Sequence, residues 1–206
     1  MAAAEMIFIL AAPSGGGKTS LAKALLQHDD RLLTSVSHTT RAQREGEEHG
    51  LHYHFCDHEH FTKMNQAGAF VETSEVFSHL YGTSKAAIAE IFAQSKDVLL
   101  DIDWLGAKNF KKMYPQQAVS IFIMPPSLDA LEARLCARDQ DDEDTIKLRM
   151  QQAQSHMQHY VHFDYVIINN DFDQSLAQLR SIITAERHRC SAMERKHQDL
   201  FKSLLL

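Results

Sequence analysis

Met6-Ile-Phe-Ile-Leu-Ala-Ala-Pro-Ser-Gly-Gly-Gly-Lys-Thr19 is an apolar run of strand length that breaks into three consecutive glycines and closes on a lysine and a threonine. Leu21, Ala22, Leu25 and Leu26 follow at helical spacing, so the stretch predicts strand, glycine loop and helix in succession. The chain has eight glycines and places three of them together at Gly15, Gly16 and Gly17. At such a junction successive backbone N–H groups can converge on one anion, and the helix N-terminus adds partial positive charge. Lys18 then reaches outer phosphates, and the Thr19 hydroxyl suits a phosphate-bound Mg2+, which prefers hard oxygen ligands. The loop reads Ala12-x-x-x-x-Gly17-Lys18-Thr19, with alanine where the strict phosphate-loop signature has glycine.

Working outward, three further apolar runs of strand length occur: Val98 to Asp103, Val119 to Met124, and Tyr165 to Asn169. Runs without polar alternation, separated by helical segments, predict a parallel sheet covered on both faces, an α/β architecture of three layers. Asp101 and Asp103 flank Ile102, so the strand period projects both to one face at the carboxyl end, where open parallel sheets bind ligands. Between the first two runs, residues 35–96 are polar at the start and rich in His and aromatics, the character of an inserted subdomain. Residues 128–149 carry Arg134, Arg138 and Arg149 around Asp139, Asp141, Asp142, Glu143 and Asp144. Such charge density predicts a solvated, mobile flap, because packing it into a core would be costly. Leu176, Leu179, Ile182 and Ile183 predict an amphipathic helix in the last stretch.

Composition sets outer limits. The 206 residues, 44% hydrophobic and 23% charged, suffice for one core of ordinary size and exclude fibrous and disordered classes. A net charge of -6 gives no reason to expect nucleic-acid wrapping or adsorption to an anionic membrane, so anionic ligands must be met by local cations. No run reaches the ~18 apolar residues of a membrane span, and the start lacks a basic flank. Cys56, Cys136 and Cys190 suggest neither a disulfide framework nor a zinc site; a reducing cytoplasm and a packing role are expected.

Over nearly its whole length the chain resembles the guanylate kinases. The resemblance rests on Ala12-Pro13-Ser14-Gly15-x-Gly17-Lys18-Thr19, Val36-Ser37-His38-Thr39-Thr40-Arg41, Arg44-x-Gly46-Glu47, Tyr53-x-Phe55 and Phe70-Val71-Glu72. It extends through Tyr81-Gly82-Thr83, Asp101-Ile102-Asp103-Trp104-x-Gly106, Ile123-x-Pro125-Pro126-Ser127 and the three flap arginines. It implies a nucleoside-monophosphate kinase fold: a core of about 1–34, 97–127 and 150–206, a GMP-binding region of about 35–96, and a helical lid of about 128–149. It implies ATP and GMP as partners, ADP and GDP as products, and Mg2+ with the ATP. Oligomeric state is left open.

The implied roles agree with residue chemistry. Guanine presents N1–H and N2–H2 donors beside an O6 acceptor; Glu72 can accept the donors and Ser37 can donate to O6, whereas adenine reverses this edge. By resemblance Asp103 also reads the guanine amino group and Thr83 stands near the base. Arg41, Arg44, Tyr53 and Tyr81 match the family's grip on the GMP phosphate, for which guanidinium forks suit the oxygens. No catalytic base is needed, since a phosphate monoester with a second pKa of ~6 is already largely dianionic near neutrality. Lys18, Mg2+, Arg134, Arg138 and Arg149 suit the remaining electrostatic work, with Thr19 and Asp101 as metal-side oxygens.

The chain departs from common family usage at Leu80-Tyr81 and Arg138-Asp139. A silent interaction module on the same fold typically loses the lysine loop or phosphate ligands, which are retained here. A kinase of another phosphorylated acceptor would leave Ser37 and Glu72 without purpose. His49, His52, His54, His58 and His60 surround Cys56; exposed histidines are a better account of them than a metal site, as no carboxylate or cysteine completes one at typical spacing.

Overall fold

The computed structural model describes residues 5–76, 78–137 and 142–205. In chain order its strands are β1 (Ile7–Ala11), β2 (Leu32–Thr34), β3 (His38–Thr39), β4 (His54–Phe55), β5 (Phe70–Val76), β6 (His79–Ser84), β7 (Asp97–Asp101), β8 (Ala118–Met124) and β9 (Tyr165–Ile168). Its helices are α1 (Lys18–His28), α2 (His58–Gln66), α3 (Lys85–Ala93), α4 (Trp104–Met113), α5 (Leu128–Cys136), α6 (Glu143–Met157), α7 (Phe172–Arg187), α8 (Cys190–Lys196) and α9 (Gln198–Leu204), with a 3-10 turn at Gln158–His162.

Five strands lie side by side in the order β2-β7-β1-β8-β9, all parallel. Residues of β1 are buried on both sides, and alternation sends them to opposite layers. Phe8 and Leu10 meet Leu21 and Leu25 of α1 with Leu179 and Ile183 of α7. Ile7 and Ile9 meet Ile88 and Ile91 of α3 with Ala107 and Phe110 of α4. Each such side chain contributes about 1.5–3 kcal/mol by leaving water. The result is the three-layer α/β fold expected from the apolar runs. The strand β2 was not foreseen; three residues at a sheet edge leave too short an apolar pattern.

The inserted region forms a second sheet of order β4-β3-β6-β5, in which β5 and β6 are an antiparallel hairpin. Phe61 of α2 stacks on Phe70 beneath it, with centroids 4.6 Å apart. Helix α3 turns back to the parallel sheet, with Ile88 and Ile91 in its apolar layer.

Three expectations are corrected. The segment taken as a solvated flap begins as an anchored helix: Leu131 and Leu135 of α5 are buried, because helical spacing puts them on one face against the glycine loop. Asp101 and Asp103 do not share a face, because the strand ends at Asp101 and Asp103 caps α4 by accepting from the Gly106 N–H at 2.7 Å. The free cysteines are not core packing: Cys136 and Cys190 are exposed and Cys56 is half-buried.

Among the described residues no helix is long and apolar enough to cross a membrane, and no group of three or more His, Cys, Asp or Glu is arranged to hold a metal. Two of these histidines finish loop backbone. His52 accepts the Glu48 N–H at 3.0 Å and His49 the Phe55 N–H at 3.2 Å.

Candidate active site

The glycine loop lies at the carboxyl end of β1, in the middle of the parallel sheet. Its turn is closed by the Gly16 N–H on the Pro13 carbonyl at 2.9 Å. Gly17 starts α1 in a left-handed conformation, φ +91°, and an added Cβ would run into the Asn169 amide. Only glycine fits both demands. Ala12, at the atypical first position, is accommodated against the core layer. Ser14 is exposed at the loop crest and Gly15 is buried beneath α5.

Lys18 forms an ion pair with Asp101 and donates to the Ile102 carbonyl at 3.3 Å. The Thr19 hydroxyl lies 3.4 Å from the other Asp101 oxygen. Hydroxyl and carboxylate thus face each other beside the loop. These hard oxygen donors fit an ion of the Mg2+ type.

A second group of residues lies on the inserted sheet. Glu72 is 6% exposed, and the Thr83 hydroxyl donates to its Oε1 at 2.9 Å. Ser37 continues the chain, its hydroxyl 3.5 Å from that of Thr83. Oε2 of Glu72 is buried without a partner among the described residues. Burial pushes this carboxyl up to about 7; the Thr83 hydrogen bond opposes the shift and the negative charge of Asp103 adds to it. A β-bulge between Phe70 and Glu72 re-aims the glutamate. Gly106 makes room for it, since a Cβ there would stand 2.9 Å from Oε2. Glu72 and Asp103 therefore converge across Gly106.

Nearby, Arg41 pairs with Glu47 at 2.7 Å and lies over the Tyr53 ring. Tyr53 and Tyr81 rings meet at 5.9 Å. Glu47 also accepts the Arg44 backbone N–H at 2.9 Å, and Arg41 holds its carboxyl below the usual carboxylate range. The Arg44 side chain is exposed beside them. Burial pushes the Tyr53 phenol up, and the Asp101 charge adds to this.

The arginines of the 128–149 segment are held differently. Arg134 donates to the Asn169 carbonyl at 2.8 Å, and its other terminal nitrogen is buried without a partner among the described residues. Arg149 is half-buried on α6. Arg138 lies outside the described residues. A cavity of about 410 Å3 opens beside the loop, lined by Gly15, Gly17, Ser20, Arg134, Asn169 and Phe172 among others. Asn169 ties it together by donating to the Gly16 carbonyl at 2.9 Å. Sequence reasoning passed over Asn169, Gly106 and the anchoring role of Glu47. The signal for Asn169 was its place just past the apolar run of β9, at the carboxyl edge that carries the loop.

A glycine loop with its lysine, hydroxyl and carboxylate, on one fold with a buried carboxylate and an arginine–tyrosine group, suits phosphoryl transfer and points to the nucleotide kinase class. Comparison with known proteins narrows the class. The guanylate kinase family model matches residues 4–186. The chain is 47% identical over 199 residues to the guanylate kinase of Saccharophagus degradans, covering 97% of each, and 49% identical over 201 residues to that of Escherichia coli O157:H7, again covering 97% of each. The crystal structure of guanylate kinase from Anaplasma phagocytophilum superposes with a TM-score of 0.76 at 32% identity, over 93% of this chain and 95% of that one. The chain belongs to the guanylate kinase family.

Proposed function

We propose that this protein transfers the γ-phosphoryl group of ATP to GMP, giving ADP and GDP. The observation that carries the reading is the buried, unpartnered Oε2 of Glu72. A lone buried acceptor costs stability unless a ligand supplies a donor. Guanine supplies two from adjacent positions, one for each carboxylate oxygen, while Ser37 turns its hydroxyl to O6. Asp103, across Gly106, takes a remaining amino hydrogen, and Thr83 holds Glu72 in register. Arg41, Arg44, Tyr53 and Tyr81 receive the GMP phosphate, with Glu47 fixing the first of these guanidinium groups.

On the donor side, the backbone from Ala12 to Thr19, through Pro13, Ser14, Gly15, Gly16 and Gly17, wraps the ATP phosphates. Lys18 exchanges Asp101 for an outer phosphate oxygen. Thr19 and Asp101 would hold Mg2+, the latter through water; when bound, that ion offsets phosphate charge. Lys18, Arg134, Arg138 and Arg149 neutralise the moving phosphoryl group, and no side chain need remove a proton from the dianionic acceptor. The region of about 35–96 receives GMP, its last helix α3 packing on the core, and residues of about 128–149 act as a lid that excludes water. A cytoplasmic setting, where both nucleotides occur, belongs to the same reading.

Purified protein incubated with Mg2+, ATP and GMP should form ADP and GDP in equal amounts by ion-exchange chromatography, and EDTA should stop both. ADP without GDP would sink the reading in favour of hydrolysis or another acceptor.

A further inference from the structure

The chain holds a single tryptophan, Trp104, the residue after the capping Asp103. Its indole lies flat on the imidazole of His159, with ring centroids 3.5 Å apart and planes inclined by 10°. His159 sits in the 3-10 turn that continues directly from α6. The stack therefore joins the helix carrying Arg149 to the turn carrying Asp103.

The inward face of α6 agrees with this connection. Ala153 is 1% exposed, and Arg149, Ala153 and His156 fall at i, i+4 and i+7, on one face of the helix. His156 is half-buried, and the charges of Asp103 and Lys18 both reach it: burial lowers its basicity, Asp103 raises it, and His159 and Lys18 lower it again. The face that bears Arg149 thus includes a histidine within electrostatic reach of both Asp103 and Lys18.

We propose that the Trp104–His159 stack is a clasp that fixes Arg149 relative to Asp103 and the glycine loop, which makes His159 a positioning residue for phosphoryl transfer. The proposal rests on the reading of the site as phosphoryl-transferring, and adds to it an element outside the phosphate and base contacts. Its leverage is geometric. Arg149 stands ten residues before His159, about 15 Å along the helix axis, so a tilt of only about 4° at the clasp moves the arginine by about 1 Å. A displacement of that size at a charge-stabilising group can cost on the order of a hundredfold in rate.

The test compares wild-type protein, His159→Ala and His159→Phe with Mg2+, ATP and GMP, and records the emission of the lone tryptophan. The clasp predicts that His159→Ala lowers kcat by about tenfold or more, with both KM values within about twofold, because the lost contribution acts in the transition state. Its Trp104 emission should change in the same variant. His159→Phe restores a planar ring and should bring kcat back to within about threefold of wild type. If the alanine variant does not fold, His159→Gln removes the ring in the same comparison. An active wild type matched in kcat by a ringless variant whose emission has changed would overturn the clasp alone. A wild type without GMP turnover would instead remove the phosphoryl-transfer reading, and the clasp with it.

Discussion

In the proposed function Glu72 is the residue on which specificity turns, and its environment makes a pH prediction. Burial raises its carboxyl to about 7, so the free protein holds a proton there at mildly acidic pH. Guanine's two donors require the anion, and binding must expel that proton. The apparent GMP KM should therefore rise as pH falls below about 7, by up to tenfold per unit for a single coupled proton. The GMP phosphate also titrates, near pH ~6, but it does so for any variant. Glu72→Gln should lose the step near 7, keep the phosphate step, and bind GMP more weakly with little change toward ATP. Identical KM profiles for wild type and variant between about pH 6 and 8 would contradict this role. That Glu72 accepts hydrogen bonds was legible from residue chemistry and resemblance. Its unpartnered oxygen was not, because it depends on the bulge at Phe70 and on the missing Cβ of Gly106, neither of which is written in local spacing.

Between elements, the amino ends of the strands are tied by a charge network opposite the site. Arg187, at the end of α7, donates to Asp97 at 2.7 Å and to Asp29 at 2.6 Å, while Asp97 also accepts the Met6 N–H at 2.8 Å. Asp97 is 4% exposed, and without Arg187 only the Arg31 guanidinium, 3.9 Å away on a half-exposed side chain, would face its buried charge. Arg187→Ala should cost about 3–5 kcal/mol, seen as a lower urea midpoint at unchanged slope. A loss below about 1 kcal/mol would show that water or another cation replaces the guanidinium. This network joins residues 90 and 158 positions apart and left no trace in periodicity. The elements themselves were more legible. Both-face burial of β1, β7 and β8 produced the apolar runs, and glycine at the end of β1 marked the loop. The strand β2 and the short strands of the inserted sheet were hidden, since two or three residues cannot display a period.

Across the whole molecule, the net charge of -6 conceals two separate cationic groups. Lys18 and Arg134 stand at the glycine loop, and Arg41 and Arg44 stand on the inserted sheet with Glu47 between them. The fold separates these groups onto a core and an insertion, an arrangement suited to admitting two anionic nucleotides and then closing on them. The solvated-flap expectation erred at the start of the segment: charge count alone could not show that Leu131 and Leu135 anchor α5 against the glycine loop. If the proposed site distinguishes guanine from other bases by hydrogen bonds to buried groups, kcat/KM for GMP against AMP under saturating Mg2+-ATP reads that discrimination out. A preference for GMP of about 10^4 or more is expected, the range reached when a wrong base leaves buried polar groups unpaired. Comparable values for the two nucleotides would contradict it.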